Sequence, residues 1–152
     1  MKDSDFVWLI AGEGSQEAAL KKLAGELGLQ DKVIFLGYID HVSIWPYYEL
    51  CLVFVLPSLS EGMPTVILEA LLMAKPVVAS DIAGNRELVE NNRTGLLFNP
   101  TSASELSEKI NQVLSDSDLS NSLAQHGQQK ALAYVGQYQG LEQIYQNTIC
   151  HH

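Results

Sequence analysis

Apolar runs and helical periods alternate from residue 6 to residue 98, and the pattern is helical thereafter. FVWLIAG, residues 6–12, is a short apolar run ending at Gly12, which predicts a strand buried on both faces. Ser15 is placed to cap a helix over QEAALKKLAGELG, with Gly28 as its C-terminal stop. VIFLG predicts a second strand, and Ile44 to Leu50, with Pro46 near its start, a short helix. CLVFVL predicts a third strand. A loop follows, and then an apolar helix from about Pro64 to Met73. PVVAS and TGLLF predict the fourth and fifth strands, with a short helix in GNRELVENN between them. SASELSEKINQVLSD opens with Ser102 and Glu105 at capping-box spacing. SDLSNSLAQHGQQKALA and GLEQIYQNTI predict two more helices. Strands alternating with helices predict an α/β fold, a parallel sheet with helices on both faces. Ligands of such sheets sit beyond the carboxyl ends of the strands, here the loops beginning at Gly12, Gly37, Pro57 and Ser80.

Composition narrows the function. The chain has 152 residues, 47% apolar and 18% charged, enough for one domain with a core and too apolar for general disorder. Its net charge of -9 argues against nonspecific nucleic-acid binding and against charge-driven adhesion to anionic lipid. No run of eighteen apolar residues occurs, so no transmembrane segment is expected. MKDSDFVWLIAGEG lacks a cleavage region and is expected to be a first strand, not a signal peptide. Cys51 and Cys150 have no metal or redox spacing. Cys51 is expected as a buried free thiol in the third strand, and two unpaired thiols suit a reducing cytoplasm. Residues 1–149 are expected to form the domain. Residues 150–152 form a tail in which His151 and His152 look like the remnant of a purification tag.

Candidate chemistry concentrates in SLSEGMPTVILEA, residues 58–70. Gly62 allows unusual backbone conformations and close approach by a ligand. Pro64 suits the first helical position, which makes the N–H groups of Thr65 and Val66 candidate donors to a phosphate. No Lys or Arg occurs from Val33 to Ala74, so a phosphate there must rely on backbone donors and the helix dipole, or on cations from elsewhere. Glu69 lies among Val66, Ile67, Leu68, Ala70, Leu71 and Leu72, so it is either on a narrow exposed stripe or buried with partners. At about 1.5 Å rise per residue it sits about 7 Å deeper than Pro64, letting Glu61 and Glu69 touch different parts of one extended ligand. The turn Gly12-Glu13-Gly14-Ser15 lacks the third glycine of a dinucleotide fingerprint and by itself is a weak signal.

PSLSEGMPTVILEA, followed by KPVVASDIAGNRELVENNRTGLLF, resembles the donor-binding half of family 4 glycosyltransferases. With LIAGEG and DKVIFLGYI the resemblance covers most of residues 6–120. It implies the C-terminal half of a GT-B enzyme, a Rossmann-like parallel sheet flanked by helices. The parent would be a retaining glycosyltransferase that moves a sugar from a UDP-, GDP- or ADP-sugar to an acceptor hydroxyl, with no further cofactor and no metal. The resemblance makes Glu61 the catalytic candidate, contacting hydroxyls of the transferred sugar and supporting charge at the reacting centre. Gly62, Met63, Pro64 and Thr65 would hold the sugar and diphosphate, and Glu69 would accept from the ribose hydroxyls. Gly37, Tyr38 and Ile39 would face the base, and Gly12 and Gly14 would lie near the diphosphate.

The sequence departs from that pattern at Ala74, where the family usually has glycine, a tolerable helix-end change. The family's Arg and Lys that neutralise the diphosphate, and the N-terminal acceptor domain, precede the region matched. The chain is therefore expected to be a fragment, inactive alone, whose partners are the donor and the absent domain. Apolar surface left by that domain leaves self-association open. The expected location is cytoplasmic, with peripheral membrane contact open through the absent domain. The alternative is a non-catalytic nucleotide- or protein-binding module of the same fold. Other residues read as structural: Asp81 shaping a turn, Arg86 in a local ion pair, Lys75 as a helix C-terminal cation, and Trp45, Tyr47 and Tyr48 packing under the short helix.

Overall fold

The computed structural model describes residues 6–137. The predicted last helix, from Gly140, and Cys150, His151 and His152 lie outside the described residues. The chain divides into two compact units, Met1–Ile44 and Trp45–His152.

The first unit holds β1 (Trp8–Ala11), α1 (Glu17–Glu26) and β2 (Val33–Gly37). The two strands pair in parallel, Leu9 opposite Ile34, with a register shift that sets Ala11 opposite Gly37. Strand β1 is not buried on both faces as its apolar run predicts. Burial alternates along it, and Leu9 and Ile34 are exposed together on one face. Ser15 does not cap α1 either. Gln16 holds the N-cap position, with an αR backbone and no side-chain bond. The C-terminal stop forms as predicted. Gly28 has φ +67°, and the Gly28 and Leu29 N–H groups donate to the Gly25 and Ala24 carbonyls at 3.0 and 2.8 Å, a Schellman motif.

The second unit contains α2 (Trp45–Leu50), β3 (Phe54–Leu56), α3 (Thr65–Leu72), β4 (Val77–Ser80), α4 (Ala83–Leu88), β5 (Leu96–Phe98), α5 (Ala103–Ser115) and α6 (Ser117–Gln137). Its strands form a parallel sheet in the order β3-β4-β5. All four residues of β4 are buried, as a central strand between two neighbours requires. Helix α3 packs on β3 and β4, α5 on β4 and β5, and α6 on both α3 and α5. Gly127 makes the α6–α3 contact close, since a Cβ there would stand 2.6 Å from Leu71 Cδ2.

Three local expectations change. Cys51 is not in a strand. Its N–H donates to the Tyr47 carbonyl at 3.1 Å at the end of α2, and β3 begins only at Phe54. The thiol is half-buried, donates to the Tyr48 carbonyl at 3.3 Å, and burial raises its pKa. The capping box of α5 is half formed. Ser102 Oγ accepts from the Glu105 N–H at 3.2 Å, while Glu105 Oε2 reaches the Asn99 N–H at 3.0 Å. It cannot serve Ser102, whose own N–H is engaged by the Asn99 carbonyl at 2.8 Å. Lys75 is a helix cation as predicted, but for α2: its Nζ donates to the Glu49 carbonyl at 2.7 Å.

Candidate functional site

In the first unit the register shift of β1 against β2 brings two predicted positions together. The Gly12 N–H donates to the Gly37 carbonyl at 2.7 Å, and both residues have positive φ, +122° and +68°. Both conformations exclude most side chains. Glu13 Oε1 then accepts from the Tyr38 N–H at 3.3 Å. Gly12, Gly14 and Tyr38 are exposed at this end, while Ile39 is half-buried.

The second unit presents Glu61 on the loop between β3 and α3. Its carboxylate is held by a residue whose part the sequence did not suggest: Ser58 Oγ donates to Glu61 Oε1 at 2.6 Å. Gly62 has no positive φ, so the expected unusual conformation is absent. What its lack of a side chain leaves is open backbone, exposed, with no atom within 4 Å of where a Cβ would stand. The Met63 sulfur accepts from Tyr134 of α6 at 3.4 Å, linking that helix to the loop.

Pro64 is the N-cap of α3, not its first helical residue. Its ψ of 91° keeps it extended, and its carbonyl accepts the Ile67 N–H at 3.0 Å. The helix therefore starts one residue later than predicted. With no side-chain cap, the Thr65 and Val66 N–H groups have no acceptor among the described residues. A helix end in this state offers aligned donors and positive potential to an anion.

Glu69 is 5% exposed, so the exposed-stripe alternative is excluded and the buried one holds. Tyr48 of α2 donates its phenol hydrogen to Glu69 Oε2 at 2.9 Å, with the Val66 carbonyl farther off at 3.4 Å. Tyr48 therefore does more than pack under α2. Burial first, then the Glu69 charge, pushes its pKa well above the ordinary phenol value, so it remains a donor. Trp45 and Phe54 ring it at centroid distances of 5.7 and 5.6 Å.

Four cations of this unit are engaged within it. Arg86 Nε and a terminal nitrogen bind the two oxygens of Asp81 at 2.6 and 3.0 Å, the local ion pair expected. Arg93 and Lys130 both bind Glu90, at 2.8 and 3.1 Å, and Lys75 is held at α2. The donors that α3 itself offers an anion are backbone N–H groups.

Parallel sheets flanked by helices, with the loop and helix end described, define a Rossmann-like α/β fold of the GT-B type. The family model for glycosyl transferases group 1 matches residues 1–130. The alpha-D-kanosaminyltransferase of Streptomyces kanamyceticus is 35% identical over 125 residues, 82% of this chain and 32% of that protein. Among solved structures, Anabaena HepE in complex with UDP-glucose is 30% identical with a TM-score of 0.76, over 82% of this chain and 35% of that one. The C-terminal domain of the group 1 protein LpcC from Francisella tularensis is 27% identical with a TM-score of 0.71, over 77% of this chain and 60% of that one. The chain belongs to the glycosyl transferases group 1 family and has the fold of its C-terminal domain. It spans about a third of the length of the curated relatives it matches. No helix among the described residues is long and apolar enough to cross a membrane.

Proposed function

We propose that the chain binds the nucleotide-diphosphate-sugar donor of a retaining glycosyltransferase that moves a sugar to an acceptor hydroxyl. The observation that carries this reading is the loop–helix unit from Ser58 to Glu69. One carboxylate stands at its mouth, backbone donors without acceptors follow in the first turn, and a buried carboxylate lies deeper. Glu61 would contact the transferred sugar and support charge at the reacting centre. The backbone from Gly62 to Thr65 would hold the sugar and diphosphate. Oriented dipoles would stabilise the leaving diphosphate, in the manner of electrostatic preorganisation. Glu69, held in place by Tyr48, would accept from ribose hydroxyls. In the first unit the same reading gives Gly12 and Gly14 a diphosphate role and Gly37, Tyr38 and Ile39 a base-facing role.

Support comes from HepE, a similar structure whose complex holds UDP-glucose. The placement in family 4, the retaining course, a UDP-, GDP- or ADP-sugar as donor without a metal, and an N-terminal acceptor domain as partner belong to this reading. So does a cytoplasmic location, supported by the free thiol of Cys51.

Titration calorimetry of the chain with UDP, GDP, ADP and UDP-glucose tests the reading. One nucleoside diphosphate is expected to bind, its sugar conjugate to bind more tightly, and Glu61→Ala to remove the difference. Equal affinity of all nucleotides with and without their sugars would overturn it. Glu69→Ala should weaken the nucleotide itself, and unchanged affinity refutes the ribose assignment.

A further inference from the structure

We infer that Gly84 is a positioning residue for the Glu61 loop, one that governs the sugar end of the site more than the nucleotide end. The inference rests on the donor reading above. A Cβ at position 84 would stand 2.5 Å from the carbonyl oxygens of both Glu61 and Gly62, and 3.0 Å from the Glu61 carbonyl carbon. Only a residue without a side chain lets the first turn of α4 and the loop backbone meet this closely.

Of the two partners, α4 is the fixed one. Asn85 is fully buried and its Nδ2 donates to the Ser80 carbonyl at 2.8 Å, anchoring the helix to the end of β4. Arg86 ties the same turn to Asp81 through two bonds. Leu88 is buried beneath. The loop is the yielding side, since Leu59, Ser60, Gly62 and Met63 are exposed. A side chain at 84 would displace the Glu61 backbone, and with it the carboxylate, relative to the Thr65 and Val66 donors. Those donors belong to α3, whose residues Ile67 to Leu72 are buried and hold it in place. Helix α4 therefore acts as the backstop that sets where Glu61 stands against the first turn of α3.

The test compares Gly84→Ala with Gly95→Ala by calorimetry using UDP and UDP-glucose, or the nucleotide and conjugate that the wild-type chain prefers. A Cβ at Gly95 would also meet close neighbours, the Val77 carbonyl and Val89 Cγ1 at 2.8 Å, but away from the loop. Gly84→Ala is expected to reduce the sugar-dependent tightening about tenfold, a loss of roughly 1.4 kcal/mol, and to weaken the bare nucleotide by clearly less, through the Gly62 backbone. Gly95→Ala is expected to lower the melting temperature and keep the tightening. If Gly84→Ala keeps the tightening, loses both affinities alike, or is matched by Gly95→Ala, the inference fails while the donor reading stands. If the wild-type chain shows no tightening, the donor reading fails and this inference falls with it. Should Gly84→Ala not fold, the Gly84 signals in NMR spectra of the wild-type chain decide. They are expected to shift more with the sugar conjugate than with the bare nucleotide, and equal shifts, the reverse, or no shift with either overturns the inference.

Discussion

The Tyr48 phenol donates to Glu69 Oε2 at 2.9 Å across 21 positions of sequence, joining α2 to the middle of α3. The carboxylate that looked out of place in an apolar helix is thus fixed in orientation by a residue outside the motif. Removing the hydroxyl takes one donor from a buried carboxylate. A hydrogen bond to a charged group contributes about 1.5–3 kcal/mol. Tyr48→Phe should lower the urea-unfolding free energy by about that amount with an unchanged slope, and weaken the nucleotide several-fold. A variant as stable as wild type would show that the bond contributes nothing.

Ala74 occupies the left-handed position of a second Schellman motif. Its φ is +51°, and the Ala74 and Lys75 N–H groups donate to the Leu71 and Ala70 carbonyls at 3.0 and 2.9 Å. An L-residue pays about 1–2 kcal/mol for that conformation, and glycine about 0.5–1 kcal/mol in unfolded-chain entropy. Ala74→Gly should therefore raise stability by about 0.5–1 kcal/mol, seen as a higher denaturant midpoint. A lower midpoint would contradict the strain argument.

Ser102 caps α5 through the Glu105 N–H at 3.2 Å. Ser102→Ala should cost about 1 kcal/mol, measured by thermal unfolding, while Ser102→Asp should restore most of the loss. If Ser102→Asp is no better than Ser102→Ala, the cap is not the cause.

Glu90 receives Lys130 from α6 and Arg93 from its own turn, and the Lys130 contact leads in lowering its pKa. A carboxylate lowered in the folded state adds stability above its unfolded pKa, and that stability is lost as pH falls through the folded value. The melting-temperature gap between wild type and Glu90→Gln should be steady above about pH 5 and close toward pH 3. Salt should shrink it, because Glu90 and its partner Arg93 are solvent-exposed. A gap that widens in acid would reverse the sign assigned here.

Local chemistry explains which elements were legible in the sequence. Gly28 and Ser102 declare themselves because caps depend on a few adjacent residues, whereas the double burial expected of β1 is absent there and found in β4, which has a strand on each side. Boundaries were less legible. Pro64 fits both the N-cap and the first helical position, and its own ψ decided between them. Cys51 adjoins an apolar run, so its place at the end of α2 depended on a hydrogen bond to Tyr47 that pattern alone does not reveal. Ser15 and Gln16 differ by one residue, and Gln16 took the N-cap position without a side-chain bond to mark it.

The sequence by itself determined the alternation of strands and helices, the spacing of Glu61 and Glu69, and the absence of Lys and Arg between Val33 and Ala74. Those are properties of neighbouring residues and of composition. Tertiary structure decided the partners: Ser58 on Glu61 within the loop, Tyr48 on Glu69 from another helix, and Gly84 against the Glu61 and Gly62 carbonyls. The reason is physical. A glycine in a helix and a tyrosine in an aromatic cluster carry no local mark of what they touch. Only the packing of α2 against α3, and of α4 against the loop before α3, brings those groups within contact distance.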